Sequence, residues 1–143
     1  MTYTIERVTE FDGDIKKFLL EEAQSINNLF ENKFDIQFAD FKLMFEKGVF
    51  LVCRRDGKIR GIHLSFLHSS IFDKNTKSLY QQLFYVKPYS GRAAYHLFKK
   101  FIDIGRNEAN HIITMLTSQT NIKSSTLESF GFKELETLYR LEV

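Results

Sequence analysis

The feature that most constrains this chain is a change of period at a single proline. From Ser78 to Val86 the sequence is apolar enough on both alternating faces to be a strand in the middle of a sheet. Pro88, the only proline in 143 residues, offers no N–H to a ladder and ends that strand. Ser90 and Gly91 then make a turn, and apolar residues begin to recur at helical spacing: Ala94, Leu97, Phe98, Phe101 and Ile104 inward, with Lys99, Lys100, Asp103 and Arg106 outward. A strand, a small-residue turn and a helix start bring several unpaired backbone N–H groups to one point, and such a point attracts phosphate.

The segments on either side supply the rest of a fold. Tyr3, Ile5 and Val8 predict a short first strand, and Asp12-Gly13-Asp14 a turn and N-cap. The helix that follows carries Ile15, Phe18, Leu19, Ala23, Ile26 and Leu29 on one face, and Asp35 opens a shorter one with Phe38, Phe41, Met44 and Phe45 inward, stopped by Gly48. Val49–Cys53 and Ile59–His68 form a hairpin about Arg55-Asp56-Gly57-Lys58. In its second strand Ile62, Leu64, Phe66 and His68 share a face opposite His63 and Ser65. After the Pro88 region come a strand at His111–Leu116, a helix at Asn121–Phe130 ended by Gly131, and a closing hairpin of Phe132–Leu135 with Leu138–Val143. The order β-α-α-β-β-β-α-β-α-β-β predicts a mixed sheet with helices on its faces, of the α/β or α+β class, as one domain over residues 1–143.

Composition narrows the function classes. Twenty basic against 18 acidic residues leave a net charge of +2, too little for a field that steers nucleic acid. The local cluster Arg54, Arg55, Lys58 and Arg60 reads as the solvated end of the hairpin. With 15 Phe, 6 Tyr and no Trp, the core must be filled by rings. The lone Cys53 excludes an internal disulfide and a multi-cysteine zinc site, and lies in an apolar strand where thiols are inert. No His, Cys, Asp and Glu set has metal-ligand spacing. No apolar run approaches the roughly 18 residues that span a bilayer, and Met1–Glu6 lacks a signal-peptide pattern, so the expected compartment is the cytoplasm.

That order of elements, with Val86-x-Pro88 running into Ser90-Gly91-Arg92-Ala93-Ala94 and Gly131-Phe132 near the end, resembles the GNAT acyl-CoA N-acyltransferases. The likeness covers nearly the whole chain and is closest to small single-domain members, including those common in bacteriophage genomes. The family's loop reads Arg/Gln-x-x-Gly-x-Gly/Ala after Val-x-Pro. Here Ser90 replaces the first basic residue, and Ala93 and Tyr95 replace the later glycines. The resemblance implies a mostly antiparallel sheet with helices on both faces and acetyl-CoA as co-substrate. It places the coenzyme pyrophosphate on the N–H groups of Ser90, Gly91, Arg92, Ala93, Ala94 and Tyr95. The pantetheine arm would run beside Phe84-Tyr85-Val86, bonded to the backbone of Phe84 and Val86, with Asn121 near it.

The implied reaction is attack of a neutral amine on a thioester, which needs proton removal, a donor for the oxyanion and departure of the thiolate. Where the family often carries its acid and base, this chain has Leu127 and Leu116; aligning on Asn121 puts Glu128 at the first of these positions. The strand before the loop offers Tyr80 and Gln82, and the neighbouring strand His68, as substitutes. The expected partner is a small-molecule or peptide amine, bounded by the segment around Asn27 to Gln37 and by the C-terminal hairpin; neither nucleic acid nor membrane is expected. Leu138–Leu141 would leave a strand edge suited to a homodimer. The alternative on the same fold is a non-catalytic coenzyme A-binding or structural protein.

Overall fold

The computed structural model describes residues 2–29, 41–70, 72–115, 122–135, 139, 141 and 143. Its elements in chain order are β1 (Tyr3–Val8), α1 (Gly13–Glu21), α2 (Ala23–Leu29), α3 (Phe41–Glu46), β2 (Gly48–Arg55), β3 (Lys58–Ser69), β4 (Lys77–Val86), α4 (Ala93–Glu108), β5 (His111–Ile113) and α5 (Ser124–Ser129). The strands form one sheet in the order β1-β2-β3-β4-β5. Pairing is antiparallel from β1 to β4, and β5 lies parallel to β4. This is the mixed α/β architecture that the element order predicts.

The sheet is buried on both faces because its strands carry apolar side chains on both. Phe50, Val52, Ile62, Leu64, Leu83 and Tyr85 pack on Ile15, Phe18, Leu19, Ile26 and Phe45 of α1, α2 and α3. Leu51, Cys53, Leu79, Phe84 and Val86 pack on Leu97, Phe98, Phe101 and Ile102 of α4 and Leu127 of α5. Phe98 is the hub of the second layer, its ring within 6.0 Å of those of Phe84, Phe101, Phe130 and Phe132. Asp12 caps α1 as expected, its carboxylate accepting from the Ile15 N–H at 2.9 Å.

The structure departs from the sequence pattern at four places. The first long helix breaks at Glu22, whose carboxylate accepts from the Tyr85 hydroxyl at 2.8 Å and pairs with Lys87. Gly48 starts β2 rather than ending α3, because a Cβ there would press into the Met44 carbonyl and the Leu64 side chain. β5 ends at Ile113, short of the predicted strand. Phe132–Leu135 carries no ladder, since Phe132 is drawn off the sheet against Phe98. Leu138, Arg140 and Glu142 lie outside the described residues, and Tyr139, Leu141 and Val143 are not in a strand.

Two one-residue bulges interrupt the ladders. Cys53 faces Gly61 while Arg54 faces Ile59, so Arg60 is the extra residue of β3. Leu64 faces Leu83 while Ser65 faces Gln81, so Gln82 is the extra residue of β4. A bulge re-aims the side chain it releases. Both released side chains fall in the candidate site.

Candidate active site

Among the described residues, the β4–β5 ladder consists of the pairs Ser78↔His111, Leu79↔Ile112 and Tyr80↔Ile113. From Gln81 onward the outer edge of β4 has no strand partner among the described residues. The Lys87 N–H donates to the Arg60 carbonyl at 2.8 Å, toward β3. Successive peptides of a strand alternate in direction, so those of Val86 and Phe84 turn to the open edge and that of Tyr85 back to β3. Phe84 and Val86 thus have backbone groups where the expected pantetheine arm would need them, and Tyr85 does not. The Tyr85 side chain belongs to the other layer; burial, aided by the bond to Glu22, pushes its phenol up to about 12.

Beyond Pro88 the chain makes a tight loop with Tyr89 at φ 60° and Gly91 at φ 59°, both in the left-handed region. Side chains from distant positions hold it. Arg60 Nε donates to Ser90 Oγ at 2.9 Å and its Nη2 to the Pro88 carbonyl at 2.8 Å. Arg55 Nη1 donates to the Tyr89 carbonyl at 3.1 Å. The Tyr3 hydroxyl donates to the Ser90 carbonyl at 3.2 Å and accepts from the Arg92 N–H at 3.1 Å. A Cβ at residue 91 would collide with that hydroxyl, so Gly91 is required twice over, by its φ and by Tyr3. The basic cluster is therefore not a solvated hairpin end. Arg54 pairs with Glu6 and Asp14, while Arg55 and Arg60 grip the loop.

These bonds redraw the expected cradle. Ser90 is buried and its hydroxyl, which donates to the Lys87 carbonyl at 2.6 Å, is consumed within the loop. Ala93 is fully buried and its N–H donates to the Ser90 carbonyl at 3.2 Å, while the Arg92 N–H is taken by Tyr3. The N–H groups of Ala94 and Tyr95, in the first turn of α4, have no partner among the described residues, as expected of a helix start without a side-chain cap. Arg92 is exposed, with its guanidinium 4.6 Å over the Tyr95 ring. The residues able to hold a diphosphate are thus Gly91, Ala94 and Tyr95 through their peptides and Arg92 through its charge. Asn121 lies outside the described residues. Tyr3, Arg55 and Arg60 were not among the sequence-derived site residues; the basic run beside a Gly-containing turn was the one signal of their role.

At the other end of β4, a cavity of about 400 Å³ is lined by His68, Ser69, Ser70, Ser78, Tyr80, Gln82 and Ile113. His68, Tyr80 and Gln82, singled out separately in the sequence, meet here. His68 meets the Tyr80 ring edge-on, with centroids 6.2 Å apart. The bulge leaves Gln82 exposed on the same face as Tyr80. Among the described residues the lining holds hydroxyls, an imidazole and an amide, and no carboxylate. Cys53 does not line this cavity: it is buried within β2 in the layer under α4, and burial pushes its thiol up to about 11.

No family model matches the sequence, and comparison with curated proteins found no match. Solved structures do match, along the whole chain. A transcriptional regulator from Bacillus halodurans superposes with a TM-score of 0.75 at 13% identity, covering 99% of this chain and 100% of its own. Glucosamine-6-phosphate N-acetyltransferase from Arabidopsis thaliana gives 0.71 at 13%, covering 99% of each chain. AAC(6')-Iy, solved with the bisubstrate analogue CoA-S-monomethyl-acetylneamine, gives 0.66 at 16%, covering 100% of each. The fold is the GNAT fold. Among the structures that share it are acetyltransferases, and AAC(6')-Iy was solved with a coenzyme A bisubstrate analogue. A shared fold does not by itself transmit activity.

Proposed function

We propose that this chain is an acyl-CoA-dependent N-acyltransferase, moving an acetyl group from acetyl-CoA to a primary amine by direct attack. The observation that carries the reading is the parting of β4 and β5 immediately after Tyr80 and Ile113, between a helix start with free N–H groups and the pocket of His68, Tyr80 and Gln82. The diphosphate would rest on the peptides of Gly91, Ala94 and Tyr95 beside Arg92, and the pantetheine arm along Phe84 and Val86. The thioester would then lie at the Gln82 bulge, within reach of the pocket.

The chemistry follows from those positions. An alkylammonium of pKa about 10 loses a proton to water held by Tyr80 and His68. The amine lone pair attacks the thioester carbonyl carbon, and a peptide N–H on the open edge of β4 supports the oxyanion. The carbon–sulfur bond then breaks, the sulfur leaves as thiolate, and the new amide nitrogen sheds its second proton to the same water. The hydroxyl-rich lining suits a polar small-molecule amine; a related structure of this fold, a soil-metagenome aminoglycoside acetyltransferase, was solved with sisomicin. The lack of a carboxylate among the described lining residues favours one other reading, a protein that binds coenzyme A without turnover.

Calorimetry with acetyl-CoA and with coenzyme A, followed by thiol release across polyamines, aminoglycosides and short peptides, tests both. Binding with thiol release is expected. Binding without release across the panel would leave the non-catalytic reading, and no binding at millimolar ligand would end both. The remaining parts of the proposal are a single domain over residues 1–143 of the small type met in bacteriophages, a cytoplasmic location and a homodimer through the C-terminal segment. No helix among the described residues is long and apolar enough to cross a membrane.

A further inference from the structure

On the face of the sheet covered by α4, directly behind the pocket, four polar side chains interrupt an apolar layer. His63 is fully buried between Phe101 and Phe84, with ring centroids 4.2 and 5.1 Å away. Its Nε2 lies 3.2 Å from the Gln81 Oε1, and Thr114 Oγ1 donates to that same oxygen at 2.7 Å. One amide oxygen therefore joins β3, β4 and the chain leaving β5. Within the same cluster His63 Nδ1 and Ser65 Oγ are buried without a partner among the described residues. A buried polar atom left unpaired costs stability, and apolar residues of similar shape would avoid that cost. Stability is thus a poor reason for this cluster.

Its position supplies a better one. The last backbone pair between β4 and β5 is Tyr80↔Ile113, and Gln81 and Thr114 are the next residue of each strand. Where the ladder stops, a side-chain bond takes over for one more step, and no further pair between the two strands follows among the described residues. We propose that His63–Gln81–Thr114 is a clasp that sets the point at which β4 and β5 separate, and with it the width of the gap that takes the pantetheine arm. Thr114 and Gln81 are positioning residues, and His63 holds the Gln81 amide in the orientation that faces Thr114. The functional half of this inference rests on the acyltransferase reading above.

The test separates the two halves. Thr114→Val removes the donor at constant shape, and the pair His63→Phe with Gln81→Leu replaces the cluster by apolar groups. Affinity for coenzyme A and for adenosine bisphosphate, the coenzyme's nucleotide half, is measured by calorimetry beside melting temperature. In Thr114→Val, coenzyme A should bind about fivefold more weakly, the worth of one hydrogen bond, while adenosine bisphosphate binds as before. The double variant should keep or raise the melting temperature and lose at least as much coenzyme affinity. Unchanged coenzyme A binding, or an equal loss for both ligands, would overturn the clasp. If the unmodified protein binds no coenzyme at all, the acyltransferase reading falls, and amide hydrogen exchange then decides the clasp alone. Faster exchange at Ile112 and Ile113 in Thr114→Val, with α4 unchanged, sustains it; unchanged exchange at β5 refutes it.

Discussion

The two ends of β4 are built on opposite plans. At its C-terminal end, Tyr3, Arg55 and Arg60 bind the carbonyls and hydroxyl of the loop from Pro88 to Ser90, and Gly91 fits only because it lacks a Cβ. At its N-terminal end, His68, Tyr80 and Gln82 share a cavity with three serines, and the contact between His68 and Tyr80 is ring to ring. The difference teaches where geometry has to be fixed in advance. An anion held by peptide N–H groups needs those groups aimed before it arrives, and reaiming them would cost affinity directly. On the proposed function, proton traffic through water tolerates more play, and the oxyanion donor would be a peptide that any residue supplies.

The contrast is broken most forcefully at the loop. Gly91→Val forces a β-branched residue to φ 59° and into Tyr3. Coenzyme affinity should fall at least about a hundredfold, a loss of roughly 2.7 kcal/mol. Near-unchanged binding by calorimetry would show that the loop is not the cradle. Ala93→Glu is a poorer probe, since Ala93 is fully buried and a carboxylate there would disturb the packing of α4.

Behind the pocket, the buried His63 makes the fold acid-sensitive. Burial lowers its pKa from 6.5 to about 3. Between those values the unfolded chain carries the extra proton, so stability falls as pH falls from 6.5 toward 3, by up to about 1.4 kcal/mol per pH unit. Urea unfolding between about pH 7 and pH 5 should show this slope, and His63→Phe should flatten it. An equal slope in the variant would assign the acid sensitivity to other groups.

At the pocket end, Tyr80→Phe should slow turnover about tenfold, a modest share of what positioned proton transfer supplies, with coenzyme affinity unchanged. A parallel loss of affinity would merge the two ends into one functional unit. The smallest effect belongs to Tyr3→Phe. It deletes one donor and one acceptor from the loop at constant ring packing, and should weaken coenzyme binding about fivefold. No change would mean that the arginines suffice to shape the loop.

Much of the fold was legible because its causes are local. The proline stop, the helical recurrence from Leu97 to Ile104, the Asp12 cap and the Asp56-Gly57 turn each depend on neighbours in sequence. What escaped reading has causes far along the chain. Nothing near Glu22 announces that Tyr85 and Lys87 will break its helix, and nothing near Tyr3 announces Ser90 and Gly91. The bulges at Arg60 and Gln82 are single-residue slips that leave composition and period almost untouched, yet they aim the two side chains that matter most at either end of the site. At the C-terminus, the sequence suggested that Phe132–Leu135 was a strand of a closing hairpin; these residues are not in a strand, and the Phe132 ring packs on Phe98.

On the proposed function, the bond between Tyr3 and the loop makes the first strand a distant partner in coenzyme binding. By linkage, whatever favours docking of β1 on β2 also favours a loop ready for diphosphate, and bound coenzyme must in turn hold β1 in place. A cut, a tethered fusion or a competing protein that peeled β1 from β2 would therefore lower coenzyme affinity from the opposite edge of the sheet. Protection of β1 amides from exchange would serve as a reporter of occupancy at a loop the strand reaches only through the Tyr3 side chain.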